Sequence, residues 1–188
     1  MDNENKEQKI VVFPTPKTGK ISLVVAPRAV VPSLMSLLAT LALHGQATVI
    51  DGGNCFDGYT LARALRRQTH QVQPALQRIA LSRVFTCFQM LAMLAELPPS
   101  EQPVIILDML ATFLDENVNF SKRQRLLENS LALLRRISQR APVAVWARTR
   151  SSPVEKENQH LLTALLENAQ ELWELQTPQP PEHQLPLF

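Results

Sequence analysis

Only five of the 188 residues are glycine, two are cysteine and four are histidine. Each scarcity removes a class of protein. Cys55 and Cys87 lie far apart with no Cys-x-x-Cys spacing, which excludes a structural zinc site and a secreted disulfide scaffold. They read as reduced thiols in the core of a cytosolic protein. His44, His70, His160 and His183 are scattered, with no His-x-x-x-His pair and no cysteine nearby to complete a metal set. Gly-x-Ser-x-Gly is absent, and with it the elbow of a serine hydrolase. Long apolar runs are missing too: the stretch 21–43 is broken by Pro27, Arg28 and Pro32, so it reads as a strand followed by a helix and not as a membrane span. The first eight residues are polar with charges of both signs, unlike a signal peptide. A cytoplasmic protein is expected.

What remains is an apolar fraction of 45% with 19% charged residues, enough for one domain with its own core. Charge is unevenly placed. Residues 1–150 hold 18 Lys/Arg against 11 Asp/Glu, whereas residues 151–188 hold one lysine against six acids. Between Gly58 and Ala95 there are five arginines and no acid, and between Ser121 and Arg140 six bases accompany only Glu128. A basic body with an acidic end is compatible with a polyanion partner and equally with an ordinary solvated face.

Short β-branched runs alternate with helical spacing. Residues 10–13, 21–25, 47–50, 77–82, 104–107, 143–146 and 171–175 read as strands. Residues 31–44, 58–69, 85–97 and 158–170 read as helices, together with a long one that Ser121 would cap and that ends near Arg140. The segment 85–97 is apolar almost all round, which predicts a buried helix. Such alternation implies βαβ crossovers, hence an α/β fold whose mainly parallel sheet is covered by helices on both faces. The expected division is an N-terminal extension over 1–19, a domain over 20–176 and a proline-rich, extended tail over 177–188.

In a parallel α/β sheet the ligand site lies beyond the carboxyl ends of the strands. Asp51 and Asp108 each follow an apolar strand there, and Val104-Ile-Ile-Leu-Asp108 has the form of a Walker B strand. The same form also ends many buried strands for reasons of capping. A phosphate cradle would need Gly-x-x-x-x-Gly-Lys-[Ser/Thr]. The one Gly-Lys pair, Gly19-Lys20, precedes a strand and lacks the first glycine. The turn in the right place, residues 26–33, contains neither glycine nor lysine. No catalytic set emerges, and an enzyme is not expected.

The order of elements resembles the ATPase core of the RecA/RadA recombinase family over about residues 20–175. Val49-Ile-Asp-Gly-Gly-Asn-Cys-Phe56 is similar to its second core strand, residues 77–85 with Arg83 to the next, residues 104–108 to its Walker B strand, and residues 143–149 to the strand leading into its second DNA-binding loop. The resemblance implies a RecA-like three-layer fold. On that alignment the P-loop glycines become Ala26 and Val31 and its lysine becomes Pro32, leaving only Ser33; the catalytic glutamate becomes Gly53; and the nucleotide-sensing Asn-Gln pair is absent from residues 146–150. The departures agree with one another. They imply a core without ATPase activity, no cofactor, and an Asp108 that survives as a structural remnant accepting local hydrogen bonds. By the same resemblance, candidate DNA contacts fall on Arg148 and Arg150, and on Lys122, Arg123 and Arg125 at the start of the long helix.

A second resemblance is sharper. Gln184-Leu185-Pro186-Leu187-Phe188 is similar to the bacterial sliding-clamp-binding motif Gln-Leu-x-Leu-Phe, with all four specified positions matched. In that family the glutamine occupies one small pocket and the Leu-Phe pair an adjacent apolar one. Together the two resemblances imply a nucleoid-associated DNA repair or replication accessory protein similar to the ImuA type of translesion cassette. Its expected partners are the clamp, a translesion polymerase or RecA-family protein, DNA, and further copies of itself. A SulA-like division inhibitor and a RecA-family ATPase with an unusual P-loop are the alternatives.

Overall fold

The computed structural model describes residues 13, 15–149 and 156–175. Six strands form one sheet in the order β3-β2-β4-β5-β1-β6, every neighbouring pair parallel. They are β1 (Ile21–Ala26), β2 (Ala47–Asp51), β3 (Ile79–Arg83), β4 (Val104–Leu107), β5 (Val143–Arg148) and β6 (Glu171–Glu174). The helices between them are α1 (Val31–His44), α2 (Gly58–Arg66), α3 (Val72–Leu76), α4 (Cys87–Glu96), α5 (Phe120–Ser138) and α6 (Lys156–Glu167). The α/β expectation and the parallel sheet are thus borne out, and the pairing is uniform where a mainly parallel sheet was expected.

The connections explain the layers. From β1 the chain runs through α1 to β2 and on through α2 and α3 to β3, moving toward one edge. From β3 it reverses, passing through α4, α5 and α6 to β4, β5 and β6. Because βαβ crossovers are right-handed, reversing the direction of travel moves the helices to the other face. Two separate core clusters result. Val24, Val49, Ile105 and Trp146 pack with α1–α3, whereas Leu23, Ile50, Ile106 and Val145 pack with α4–α6. Central strands buried on both faces favour apolar residues throughout, and this is why β4 and Val143–Ala147 of β5 read as continuous runs, while β1 is interrupted only by Ser22, whose hydroxyl bonds Glu171.

Local boundaries differ from the sequence reading in ways that have physical causes. Asn119, not Ser121, caps α5: its side-chain oxygen accepts a hydrogen bond from the Ser121 amide at 2.9 Å. Both residue types cap well, and two lie within three positions. Asp57 caps α2, accepting from the Thr60 amide at 3.0 Å and its hydroxyl at 2.6 Å; these bonds hold its carboxyl below the usual range. The helix over 85–97 is not buried all round. Only Cys87, Met90 and Leu94 of α4 are buried, and Phe88 is exposed, as is Phe85 before it. The outer face mixes Gln89 and Glu96 with Phe88, Ala92 and Ala95, too few polar residues to mark it by periodicity. Phe13, assigned to an extension, packs in the α1–α3 core instead; residues 10–12 of the expected first strand lie outside the described residues. Both cysteines are free and buried, as expected. Among the described residues, no helix is long and apolar enough to cross a membrane.

Candidate functional site at the carboxyl edge

The strands β2, β4, β5 and β1 lie side by side, and their carboxyl ends bring together Asp51, Asp108, Arg148 and the turn after Ala26. Chains leaving β2 and β1 enter the α1–α3 layer, and those leaving β4 and β5 enter the opposite one. This divergence opens a crevice in doubly wound sheets. The candidate residues therefore sit at the edge of the fold where the sequence pattern puts them. Much of their bonding capacity there is taken up within the protein.

Asp51 is buried, and its carboxylate is taken up by its own loop. Oδ1 and Oδ2 accept from the Cys55 amide at 2.9 and 3.0 Å, and Oδ2 also accepts from the Phe56 amide at 2.9 Å. Arg83 stands 3.6 Å away as a counter-ion. Asp108 is equally buried and sits in the left-handed region, φ 48°, ψ 57°. That conformation costs a non-glycine residue on the order of 1–3 kcal/mol, tolerated where the surroundings dictate it. Here they do. Its Oδ2 accepts from Arg148 Nε at 3.0 Å and lies 2.9 Å from Arg148 Nη2, while Oδ1 faces the Arg148 amide at 3.3 Å. Two guanidinium nitrogens thus converge on one carboxylate oxygen, and charge assistance makes these bonds stronger than neutral ones. The Asp108 carboxylate thus accepts hydrogen bonds from a residue 40 positions away, while its backbone carbonyl accepts locally from the Ala111 amide.

Gly53 completes the closure. A Cβ at this position would lie 2.5 Å from Asp108 Cβ and 2.7 Å from its Oδ2, well inside any real contact. Glycine is required because the loop after β2 presses its backbone against the Asp108 side chain. A glutamate cannot occupy position 53 while Asp108 and Arg148 remain paired.

The turn after β1 forms no cradle. Its residues Arg28–Val30 make one 3-10 turn, and none has the positive φ of a phosphate-binding nest. Pro32 in the first turn of α1 removes an amide that would otherwise point toward an anion. The Ala26 carbonyl accepts from the Trp146 indole and the Thr149 amide, both at 3.0 Å, which ties β5 to the turn. Cys55 lies in the same region. Burial, then the carboxylates of Asp108 and Asp51, push its thiol up, so it is a poor nucleophile. Among the described residues no group of three His, Cys, Asp or Glu could hold a metal ion.

The candidate DNA contacts separate. Arg123 is withdrawn: it is buried, its Nη2 bonds Glu157 at 2.6 Å and its Nη1 bonds the Phe113 carbonyl at 3.2 Å. It joins α5 to α6 and to the 3-10 turn after β4, and is not a surface base. Lys122 is exposed, with its ammonium 4.9 Å from the centroid of Phe88, and Arg125 is exposed. Arg148 is half-buried against Asp108. Arg150 and the whole of residues 184–188 lie outside the described residues. Away from this edge, an open cleft of about 620 Å³ lies at the amino ends of β2 and β4, between Leu97-Pro98 and Arg136 and Arg140. Nothing in the sequence pattern marked it, because its walls come from the ends of α4 and α5. The chain matches no model of a known protein family and no curated protein.

The close approach of Gly53 to Asp108 gives a coupled prediction. Gly53→Ala should lower stability by about 1–3 kcal/mol in urea denaturation, the cost of forcing a methyl group into a filled space. In an Asp108→Gly background most of that penalty should vanish, since the obstructing atoms are gone. Additive losses in the double variant would show that the contact is not what excludes the side chain.

Proposed function

We propose that this chain is a non-catalytic accessory protein of DNA repair or replication, a scaffold of the RecA type that docks on the DNA polymerase sliding clamp. The observation that carries this reading is the pentapeptide Gln184-Leu-Pro-Leu-Phe188 on a proline-rich segment. Two leucines and a phenylalanine in so polar a stretch of sequence call for a partner. The closed carboxyl edge supports the non-catalytic part. Asp108 is held by Arg148, Gly53 leaves no room for a general base, and the turn after β1 offers neither nest nor lysine. A SulA-like division inhibitor would have no use for the pentapeptide, so clamp binding separates the two readings.

Leu187 and Phe188 are the anchors, each contributing about 1.5–3 kcal/mol if fully buried, and Gln184 adds orientation and roughly 1 kcal/mol. Pro186 reduces the freedom lost when an extended peptide is ordered. A peptide of residues 177–188 should therefore bind the host clamp alone, with affinity on the order of micromolar. Replacing both Leu187 and Phe188 by alanine should abolish binding by the full chain without changing its melting temperature. Equal affinity for the full chain and for one ending at Glu182 would refute the docking.

ATP should neither bind tightly nor be hydrolysed. Calorimetry with Mg-ATP is expected to give no heat at micromolar protein, and turnover that disappears with Asp108→Ala would instead establish the rival ATPase. The scaffold's surface contact with DNA would use Lys122 and Arg125, since cations beside an α-helix N-terminus oppose its dipole unless an anion joins them, with Arg150 as a further candidate and Arg148 already committed to Asp108. Such binding should ignore sequence and weaken steeply with salt. If the double variant Lys122→Ala, Arg125→Ala shifts DNA as well as the wild type at low salt, α5 takes no part.

A further inference from the structure

An open cleft lies at the amino ends of β2 and β4, and we propose that it binds a small amphiphilic anion, an apolar body ending in a carboxylate. The cleft is at the far end of the sheet from Asp108 and Arg148, and its volume is about 620 Å³. Sites that enclose small organic ligands measure roughly 300–1,000 Å³, with apolar walls and a few convergent polar groups. This cleft has both.

Its walls come from two helix ends. After α4, Pro98 and Pro99 fix their own backbone angles, so this side is stiff before a ligand arrives. The last turn of α5 forms the other side with Arg136 and Ile137, and Arg140 follows just beyond it. Leu97, Pro98, Val104 and Ile137 offer apolar surface against which the body of a ligand loses water.

The polar groups are donors left unused. Thr48, Ser100, Gln139, Arg136 and Arg140 line the cleft, and no aspartate or glutamate does. Among the described residues, the side chains of Thr48, Gln139, Arg136 and Arg140 enter no hydrogen bond or ion pair. Ser100 Oγ accepts from the Gln102 amide at 3.0 Å, which leaves its proton to donate. A helix dipole favours cations at a C-terminus, but it does not gather other free donors beside them. The negative end of α5 is itself largely closed. The Ile137 carbonyl accepts from the Arg140 and Ala141 amides, both at 3.0 Å, and the Ser138 carbonyl from the Gly19 amide at 2.6 Å. The amides of Thr48 and Val104 are also spent, on the carbonyls of Pro103 and Pro142 at 2.9 Å. Without a nest of free amides, the cleft suits a carboxylate held by guanidinium groups better than a phosphate.

The test is an NMR titration of the full chain with decanoate, kept below the concentration at which it forms micelles. The amide signals of Leu97, Gln102, Ile137 and Arg140 should shift together and saturate as a single site. Decanol has the same chain without the charge, and it should bind about tenfold or more weakly. The double variant Arg136→Gln, Arg140→Gln should weaken decanoate to the same degree, and Ala95→Trp, which fills the cleft from α4, should abolish the shifts. Lys122→Gln with Arg125→Gln, at the opposite end of α5, should change nothing. No saturable shift at these residues, equal binding of decanol, or undiminished binding by the Arg136/Arg140 variant each overturns the proposal. So does a response to phosphatidylglycerol vesicles without one to decanoate, which would make the cleft a membrane contact. All the replaced side chains are exposed, and melting curves check that the variants fold. Should one unfold, the comparison of decanoate with decanol decides, since it needs only the wild type.

Discussion

At the carboxyl edge, the guanidinium of Arg148 grips the carboxylate of Asp108 while the backbone of Gly53 lies against the other side of the same side chain. Three consecutive strands of the sheet are joined by this contact, since Gly53 follows β2, Asp108 follows β4 and Arg148 ends β5. It requires a left-handed backbone at Asp108 and a residue without Cβ at position 53. A buried carboxylate deprived of its counter-ion is costly, so the pair tolerates little rearrangement. Everything else at this edge follows. The crevice that a doubly wound sheet opens for a ligand is filled by the protein's own charges, and what sequence spacing presents as a metal-holding aspartate serves to hold strands in register.

The fold was legible in the sequence where burial is two-sided. Residues 104–107 and 143–146 are apolar at every position because helices cover both faces, and four apolar residues in a row are too short for a buried helix. Residues 77–82 fall within two positions of β3, but the single turn of α3 before it left no signal, since five residues are too few to show a period. The exposed face of α4 was hidden because Gln89 and Glu96 share it with Phe88 and two alanines, too sparse a set to read as a polar stripe.

The site was legible in its position and illegible in its wiring. That strands end in Asp51 and Asp108 can be read directly. That Asp51 turns back onto the amides of Cys55 and Phe56, whereas Asp108 reaches across to Arg148, depends on loop geometry and on a contact between distant parts of the chain. Arg123 is the clearest case. In the sequence it is one of three bases opening a helix, and only the position of Glu157 on α6 shows that it faces inward.

Different parts of the molecule are left with different tasks. The centre of the carboxyl edge is internally satisfied and offers little to a ligand. Among the described residues, exposed apolar side chains lie at the periphery, Leu81 on β3 and Leu172 and Trp173 on β6. Free energy available for binding resides in surface that is still exposed, and buried groups already paired contribute stability instead.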